Sequence, residues 1–407
     1  MMHRLSIAAS VVCLTVGTAV AQTHEHHHQH GGATARCTEP TLACASVATP
    51  FLASDGTLWL TWTAGGQVLV ARSHDGGQHF SPAVALDAGP EHIDTGPDAR
   101  PRIVVDRTGR AFASYAVFKD NAYNATAFVA TSSDGGRSFS APRPLTDDPA
   151  SQRFETLAVD PDDRLFAAWL DKRDAVAARA KGAAYAGAAL AFEWLNGDGK
   201  SLAPVRIAQD QTCECCRLAV GFAGPGRPVV LFRNVFEGGV RDHAVMTFAD
   251  AQTPGPVYRV SVDDWHTDVC PHQGPSLAIA ADGTYHAAWY TEGDARQGLF
   301  YARSIDGGRS FSTPLPLGAP DHRPTRPYVL AVGDAVWLAW KEFDGEHATV
   351  NAQVSHNAGQ SWSPAAVVAR TDDASDHPLL VSDGRHALLS WLTAREGYRL
   401  VPLEDQP

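Results

Sequence analysis

One short string recurs four times along this chain, and no other feature limits the possible folds so strongly. Ser73-His74-Asp75-Gly76-Gly77-Gln78-His79-Phe80, Ser132-Ser133-Asp134-Gly135-Gly136-Arg137-Ser138-Phe139 and Ser304-Ile305-Asp306-Gly307-Gly308-Arg309-Ser310-Phe311 share one pattern. Ser355-His356-Asn357-Ala358-Gly359-Gln360-Ser361-Trp362 is a further copy, with Asn for Asp and Ala for the first Gly. A carboxylate or amide oxygen at the third position accepts backbone N–H groups inside a tight turn, glycine takes φ > 0 there, and the closing aromatic packs beneath. Asp75, Asp134, Asp306 and Asn357 are therefore read as structural.

Each copy follows a short alternating strand such as Val68-Leu69-Val70-Ala71-Arg72, and each is preceded by a strand ending in a large aromatic. Those positions are Trp62, Tyr115, Trp169, Phe232, Trp289, Trp340 and Trp391, 51 to 63 residues apart by subtraction. A period of this length, with four short strands per unit, is that of β-propeller blades. The sequence predicts an all-β propeller of seven blades. The third unit carries a degenerate turn, Asn196-Gly197-Asp198-Gly199, and the fourth has none between Phe248 and Pro256. The seventh unit ends early, so a strand from the N-terminal side is expected to close the ring, with 41–47 as its source.

The four strings are similar to the Asp-box (BNR repeat) of the sialidase superfamily, in which six blades are the rule, so six stays open beside seven. The resemblance implies a scaffold more than a chemistry. A sialidase uses arginines for the substrate carboxylate, a Tyr activated by a Glu, and an Asp acid/base. Its aromatic-Arg-Ile-Pro motif has no counterpart here. The nearest string, Arg100-Pro101-Arg102-Ile103-Val104, is expected to open an innermost strand, and Tyr290 with Glu292 is the only Tyr–Glu pair to suggest itself. No sialidase activity is expected.

His3 and Arg4, the apolar stretch 5–20 and Ala19-Val20-Ala21 read as a cleavable export signal over 1–21. Residues 22–36 form a His-rich tail with nothing to bury, and 37–407 a single propeller domain in the periplasm or outside the cell. A net charge of −12 in a mixed-sign sequence argues against nucleic acid, and no later apolar run suits membrane insertion.

Of seven cysteines, Cys13 leaves with the signal, and Cys37 with Cys44 reads as a small disulfide loop. Cys213-Glu214-Cys215-Cys216 and Cys270 remain, and their pairing is open, a bridge between adjacent Cys215 and Cys216 being strained. Blade geometry puts this cluster and Cys270-Pro271-His272-Gln273-Gly274-Pro275 on neighbouring connections of the face opposite the repeated turns. Together the two strings resemble a pattern in uncharacterised secreted Asp-box proteins. Arg100, Arg153, His322, Arg323, Arg326 and His377 fall on equivalent connections and are pocket candidates.

Thiols and imidazoles in proximity suit Cu(I) or Zn(II). Cleavage after Ala21 would expose an amine followed by His24, a nitrogen set favoured by Cu(II), with His26, His27, His28 and His30 close behind. Three readings follow. One is a metal-binding module in periplasmic copper handling, its ligands the tail histidines and Cys213, Cys215, Cys216, Cys270 and His272. Another is a glycosidase or carbohydrate-binding propeller whose arginines clamp an acidic sugar. The third is a disulfide-stapled interaction scaffold. The partners are then a metal ion or small ligand, or another periplasmic protein, with copper, zinc or no cofactor.

Overall fold

Alternation of small or β-branched residues with aromatics makes each unit a meander of antiparallel strands. The computed structural model describes residues 37, 39–87, 89, 91–267, 269 and 271–404. Six sheets have four strands and the last has three, each strand bonded to the next in sequence. Blade 1 comprises Ala48–Leu52, Leu58–Ala64, Gln67–Ser73 and Val84–Ala85. The innermost strands of blades 2 to 7 are Arg102–Val105, Gln152–Val159, Ala219–Phe222, Ser276–Ile279, Thr325–Val332 and Leu379–Ser382. Innermost strands of neighbouring blades touch around the ring, the strand of blade 1 meeting that of blade 7. The protein is a seven-bladed β-propeller, as the spacing of the aromatics predicts.

All seven aromatics lie on second strands and are buried, from 0% exposed at Trp169 and Trp289 to 3% at Trp62. They fill the wedges between blades, each large ring removing apolar surface worth roughly 2–3 kcal/mol from water.

The repeated turns do what their composition dictates. Asp134 Oδ1 accepts the N–H groups of Arg137 at 2.9 Å and Ser138 at 3.1 Å and the Ser132 hydroxyl at 2.8 Å. Those bonds, led by one from the Ser138 hydroxyl, pull its carboxyl below the usual range. Asp75 and Asp306 repeat the arrangement, and Asn357 Oδ1 accepts the Ser361 N–H at 2.9 Å. The second glycine of each copy abuts the preceding blade. A Cβ on Gly136 would lie 2.5 Å from Trp59, one on Gly308 2.9 Å from Val245, and one on Gly359 against Tyr301, while on Gly77 it would meet Tyr398 of blade 7 at 3.3 Å. These turns therefore lock each blade to its predecessor as well as closing their own hairpins.

Residues 41–47 do not supply a fourth strand to blade 7. Leu42–Cys44 forms a 3-10 turn, and Leu42, Cys44 and Ala45 pack with Tyr398 and Leu392 beside the outer strand Gly397–Leu403. Ring closure uses side chains instead. The Ala48 N–H donates to Asp376 Oδ2 at 3.1 Å, and Arg100 bridges blades 1, 2 and 7. Cys37 and Cys44 lie within disulfide distance, their Cα atoms 5.3 Å apart.

Within a blade the first-to-second and third-to-fourth turns fall on one face. The starts of the innermost strands and the second-to-third connections fall on the other. The latter face carries the only α-helix among the described residues, Arg173–Ala180 in blade 3.

Candidate functional site

Seven strand starts converging on one axis bring together side chains far apart in sequence. Arg100 is 3% exposed and fully engaged: Nε donates to the Thr49 hydroxyl at 3.0 Å, Nη1 to a ring nitrogen of His377 at 2.8 Å, and Nη2 to the Ala48 carbonyl and the Asp376 carboxylate. Arg153 grips Asp94 through two bonds of 2.6 and 2.9 Å and lies over the rings of Phe118 and Phe154. Asp98 is shared. It accepts Arg217 Nη1 at 2.9 Å, Arg326 Nη1 at 3.3 Å and the Gly274 N–H at 2.7 Å.

Arg102 differs from these. Its Nε has no partner, and it forms no ion pair among the described residues. Burial, with Arg100 and Arg217 nearby, pushes its guanidinium down to about 10, still cationic at neutral pH. Glu155, whose carboxyl interacts with Arg102, is pushed up to about 8 by burial and is therefore mostly protonated at neutral pH. Arg100, Arg102, Arg153, Arg217 and Arg326 thus face Asp94, Asp98 and Asp376, an excess of two positive charges. Burial and the surrounding arginines hold His377 well below the ordinary imidazole range, so it adds no charge.

A cavity of about 190 Å³ lies on the axis, lined by residues of all seven innermost strands or their starts, among them Thr49, Arg102, Thr156, Arg217, Ser276, Tyr328 and Leu380. At about 30 Å³ per liquid water this is room for roughly six waters, the scale of one sugar ring. A half-buried guanidinium with an unpaired Nε in such a space favours an anion, because partial desolvation strengthens its hydrogen bonds to a carboxylate or sulfate.

A second cluster lies on the same face where blade 4 begins. Cys213, Cys215 and Cys216 are 1–2% exposed, and their sulfur atoms all lie within 4.8 Å of one another. Cys213 and Cys215 sulfurs are 3.5 Å apart, and Arg241 Nη1 is 3.5 Å from Cys213. Bonds from the other two thiols, then Arg233 and Arg241, draw the Cys213 thiol down well below its ordinary value. His243 is cross-strand from Arg233, fully buried, with neither ring nitrogen bonded, and burial keeps it neutral.

Of the residues singled out in the sequence, Arg100, Arg153, Arg326, His272 and His377 gather at the axis. His272 is not part of the thiol cluster. At φ 48° it turns toward Phe154, 5.8 Å between ring centroids, and its backbone carbonyl accepts a bond from Arg326. His322 and Arg323 are not in the pocket either: a 3-10 turn, Pro320–His322, carries them outward, His322 onto Glu342 at 3.3 Å and Arg323 into solvent. The tail histidines His24, His26, His27, His28 and His30, with Cys270, lie outside the described residues. Tyr290 does donate to Glu292, but on a second strand beside Trp265, and burial together with that bond raises its phenol. Sequence reading missed Arg102 as a ligand group, and also Arg217, Glu155, His243 and the carboxylates. Arg217 had a signal: it follows Cys216 at the start of an innermost strand, as Arg100, Arg153 and Arg326 do in their blades.

The fold and its axial site define a seven-bladed propeller with a cationic core. No protein-family model matches the chain, and no curated protein matches it in sequence. Several solved structures share the fold. An ulvan lyase of a polysaccharide lyase family, bound to a -[GlcA(1-4)Rha3S]- unit, superposes with TM-score 0.53 at 12% identity, covering 89% of this chain and 94% of that one. A Hadza microbial sialidase gives 0.50 at 12% identity over 86% and 73%. A protein of unknown function from Dyadobacter fermentans DSM 18053 gives 0.51 at 15% identity over 76% and 94%. At these identities the likeness establishes the propeller, not the chemistry.

Proposed function

We propose that this propeller binds an anionic saccharide, one bearing a uronate, sialate or sulfate group, in its axial cavity. The observation that carries the reading is Arg102, a half-buried guanidinium whose Nε is buried without a partner and which has no carboxylate partner among the described residues, in a cavity lined by no carboxylate. Arg102 would hold the anionic group, while Thr156, Ser276 and Tyr328 offer hydroxyls to the ring. That solved propellers of the same fold include a sialidase and a lyase holding a uronate-containing unit supports the saccharide class. The Tyr290–Glu292 pair lies off the cavity.

The test is titration calorimetry of the full chain with uronate-, sialate- and sulfate-bearing oligosaccharides beside their neutral counterparts. At least one acidic sugar is expected to bind, more weakly as salt rises, and Arg102→Gln is expected to weaken it at least tenfold without unfolding the protein. Equal binding of neutral sugars, or unchanged affinity in Arg102→Gln, would overturn the proposal.

A further inference from the structure

We infer that the ligand of the axial cavity is an acidic glycoside with an apolar aglycone, and that the aglycone lies in a vestibule at the far end of the innermost strands. The inference rests on the proposal that an acidic sugar binds beside Arg102, and adds what is attached to that sugar. The axial cavity does not end within the ring. Its walls Phe51, Val104, Leu157 and Val220 are also walls of a second space of about 550 Å³. At about 30 Å³ per liquid water this holds roughly 18 waters.

Strand direction puts the two spaces in order. Arg102 opens the innermost strand Arg102–Val105, and a strand rises about 3.3 Å per residue, so Val104 stands about 7 Å further along the axis. Val105, Val159 and Phe222 end their strands and line the second space, together with Arg107, Asp160 and Asp163 of the first-to-second turns. The vestibule therefore opens on the face of those turns. The opposite end is shut: Asp98, Arg100 and Arg217 are 1%, 3% and 5% exposed. Across the strand starts Asp98 draws together Arg217 before blade 4, the Gly274 N–H before blade 5 and Arg326 of blade 6. A group attached to a sugar held at Arg102 would have to break these buried pairs to leave that way. Through the vestibule it leaves without displacing a charge.

The walls of the vestibule then fix the chemistry of the attached group. Nine of its twelve lining residues are apolar, and the three charged ones are already engaged. Arg107 donates to Asp163 and to the Pro161 carbonyl, each at 2.8 Å, while Asp160 accepts Arg164 at 2.6 Å and the Gly226 N–H at 2.9 Å. A second sugar ring would set its hydroxyls against walls that return no hydrogen bonds. An aryl or alkyl group instead takes the half-buried Phe51, Val159, Val220 and Phe222 out of water.

The test is titration calorimetry of the full chain with two matched pairs, phenyl and methyl glucuronide and phenyl and methyl glucoside 6-sulfate, beside neutral phenyl glucoside. In at least one pair the phenyl glycoside is expected to bind about tenfold or more tightly than the methyl one, the scale of burying an aromatic ring, and Val159→Gln is expected to cut that ratio to about threefold or less. Equal affinities within both pairs would overturn the inference on wild-type protein alone, as would an unchanged ratio in a folded Val159→Gln variant. Arg102→Gln separates the two proposals. If the pairs are equal but Arg102→Gln weakens both members, only the vestibule assignment falls. If the neutral phenyl glucoside binds as tightly as the acidic ones and Arg102→Gln changes nothing, the acidic-sugar reading falls and takes this inference with it, as does the absence of binding by every glycoside.

Discussion

Replacing Arg100 by Met should open the ring at its seam. The guanidinium has a side chain 0% exposed and donates to Thr49, Ala48, His377 and Asp376, so it ties blade 2 to the first strand of blade 1 and to blade 7. Met fills much of the volume but supplies no donor, leaving the Asp376 carboxylate, 2% exposed, with only the N–H groups of Ala48 and His377. Breaking one side of a buried ion pair costs roughly 3–5 kcal/mol. Roughly 370 ordered residues at about 2.1 cal/mol/K each give an unfolding entropy near 0.8 kcal/mol/K, so the thermal midpoint should fall by about 4–6 °C. Calorimetry and urea unfolding of Arg100→Met, Asp376→Asn and the double variant would measure this. Because Asp376→Asn removes the stranded charge, the double variant should be more stable than the sum of the two single losses predicts, by about 1–3 kcal/mol. A loss under about 0.5 kcal/mol for Arg100→Met, or additivity of the singles to within about 0.5 kcal/mol, would refute the view that this pair closes the ring.

Two further outcomes follow from named groups. Glu155 has its pKa pushed up to about 8 by burial, so the folded state holds a proton that the unfolded chain releases near the ordinary value of 4.5. Its contribution is present below about pH 4.5 and is lost as pH rises through about 8, so Glu155→Gln should flatten the fall in stability measured by urea unfolding between pH 5 and 8. An unchanged pH slope would show that Glu155 ionises normally. Gly136→Ala puts a Cβ at φ 75° and 2.5 Å from Trp59, a combination of backbone strain of about 1–3 kcal/mol and a steric clash. Its thermal midpoint should fall while acidic-sugar affinity stays as in the wild type, because these turns lie on the face opposite the strand starts.

The blade count was legible because it rests on local chemistry. A large aromatic is needed once per blade to fill the wedge, and the Ser-x-Asp-Gly-Gly turn carries its own hydrogen-bond acceptors, so both recur in the sequence at the period of the fold. The pocket was legible only in part. Arg100, Arg153, Arg326 and His377 were found because they open innermost strands, a position that the repeat assigns. His322 and Arg323 share the connection but not the place, since a 3-10 turn that no periodicity marks carries them outward. Residues 41–47 were misread because a missing strand was inferred from a count, whereas side-chain bonds from Arg100 and Asp376 close the ring without it. Glu155 and His243 gave no signal at all, as their states are set chiefly by burial in the assembled fold.

The same convergence explains why one arginine at the axis stands for function and the others for architecture. Packing five guanidiniums on converging strands raises the electrostatic energy of the folded state unless they are offset, and the fold offsets most of them: Arg100 by Asp376, Arg153 by Asp94, and Arg217 with Arg326 in part, through the single charge of a shared Asp98. Removing Arg100 or Arg153 should cost stability because a buried acid is stranded. Arg102 strands nothing, since no acid among the described residues pairs with it and Glu155 beside it is mostly protonated at neutral pH. Its removal relieves repulsion from Arg100 and Arg217, which already pushes its own proton affinity down. A half-buried charge that costs stability and has no carboxylate partner among the described residues is where the anionic group of the proposed saccharide would dock, since a partner from outside the chain would offset the cost.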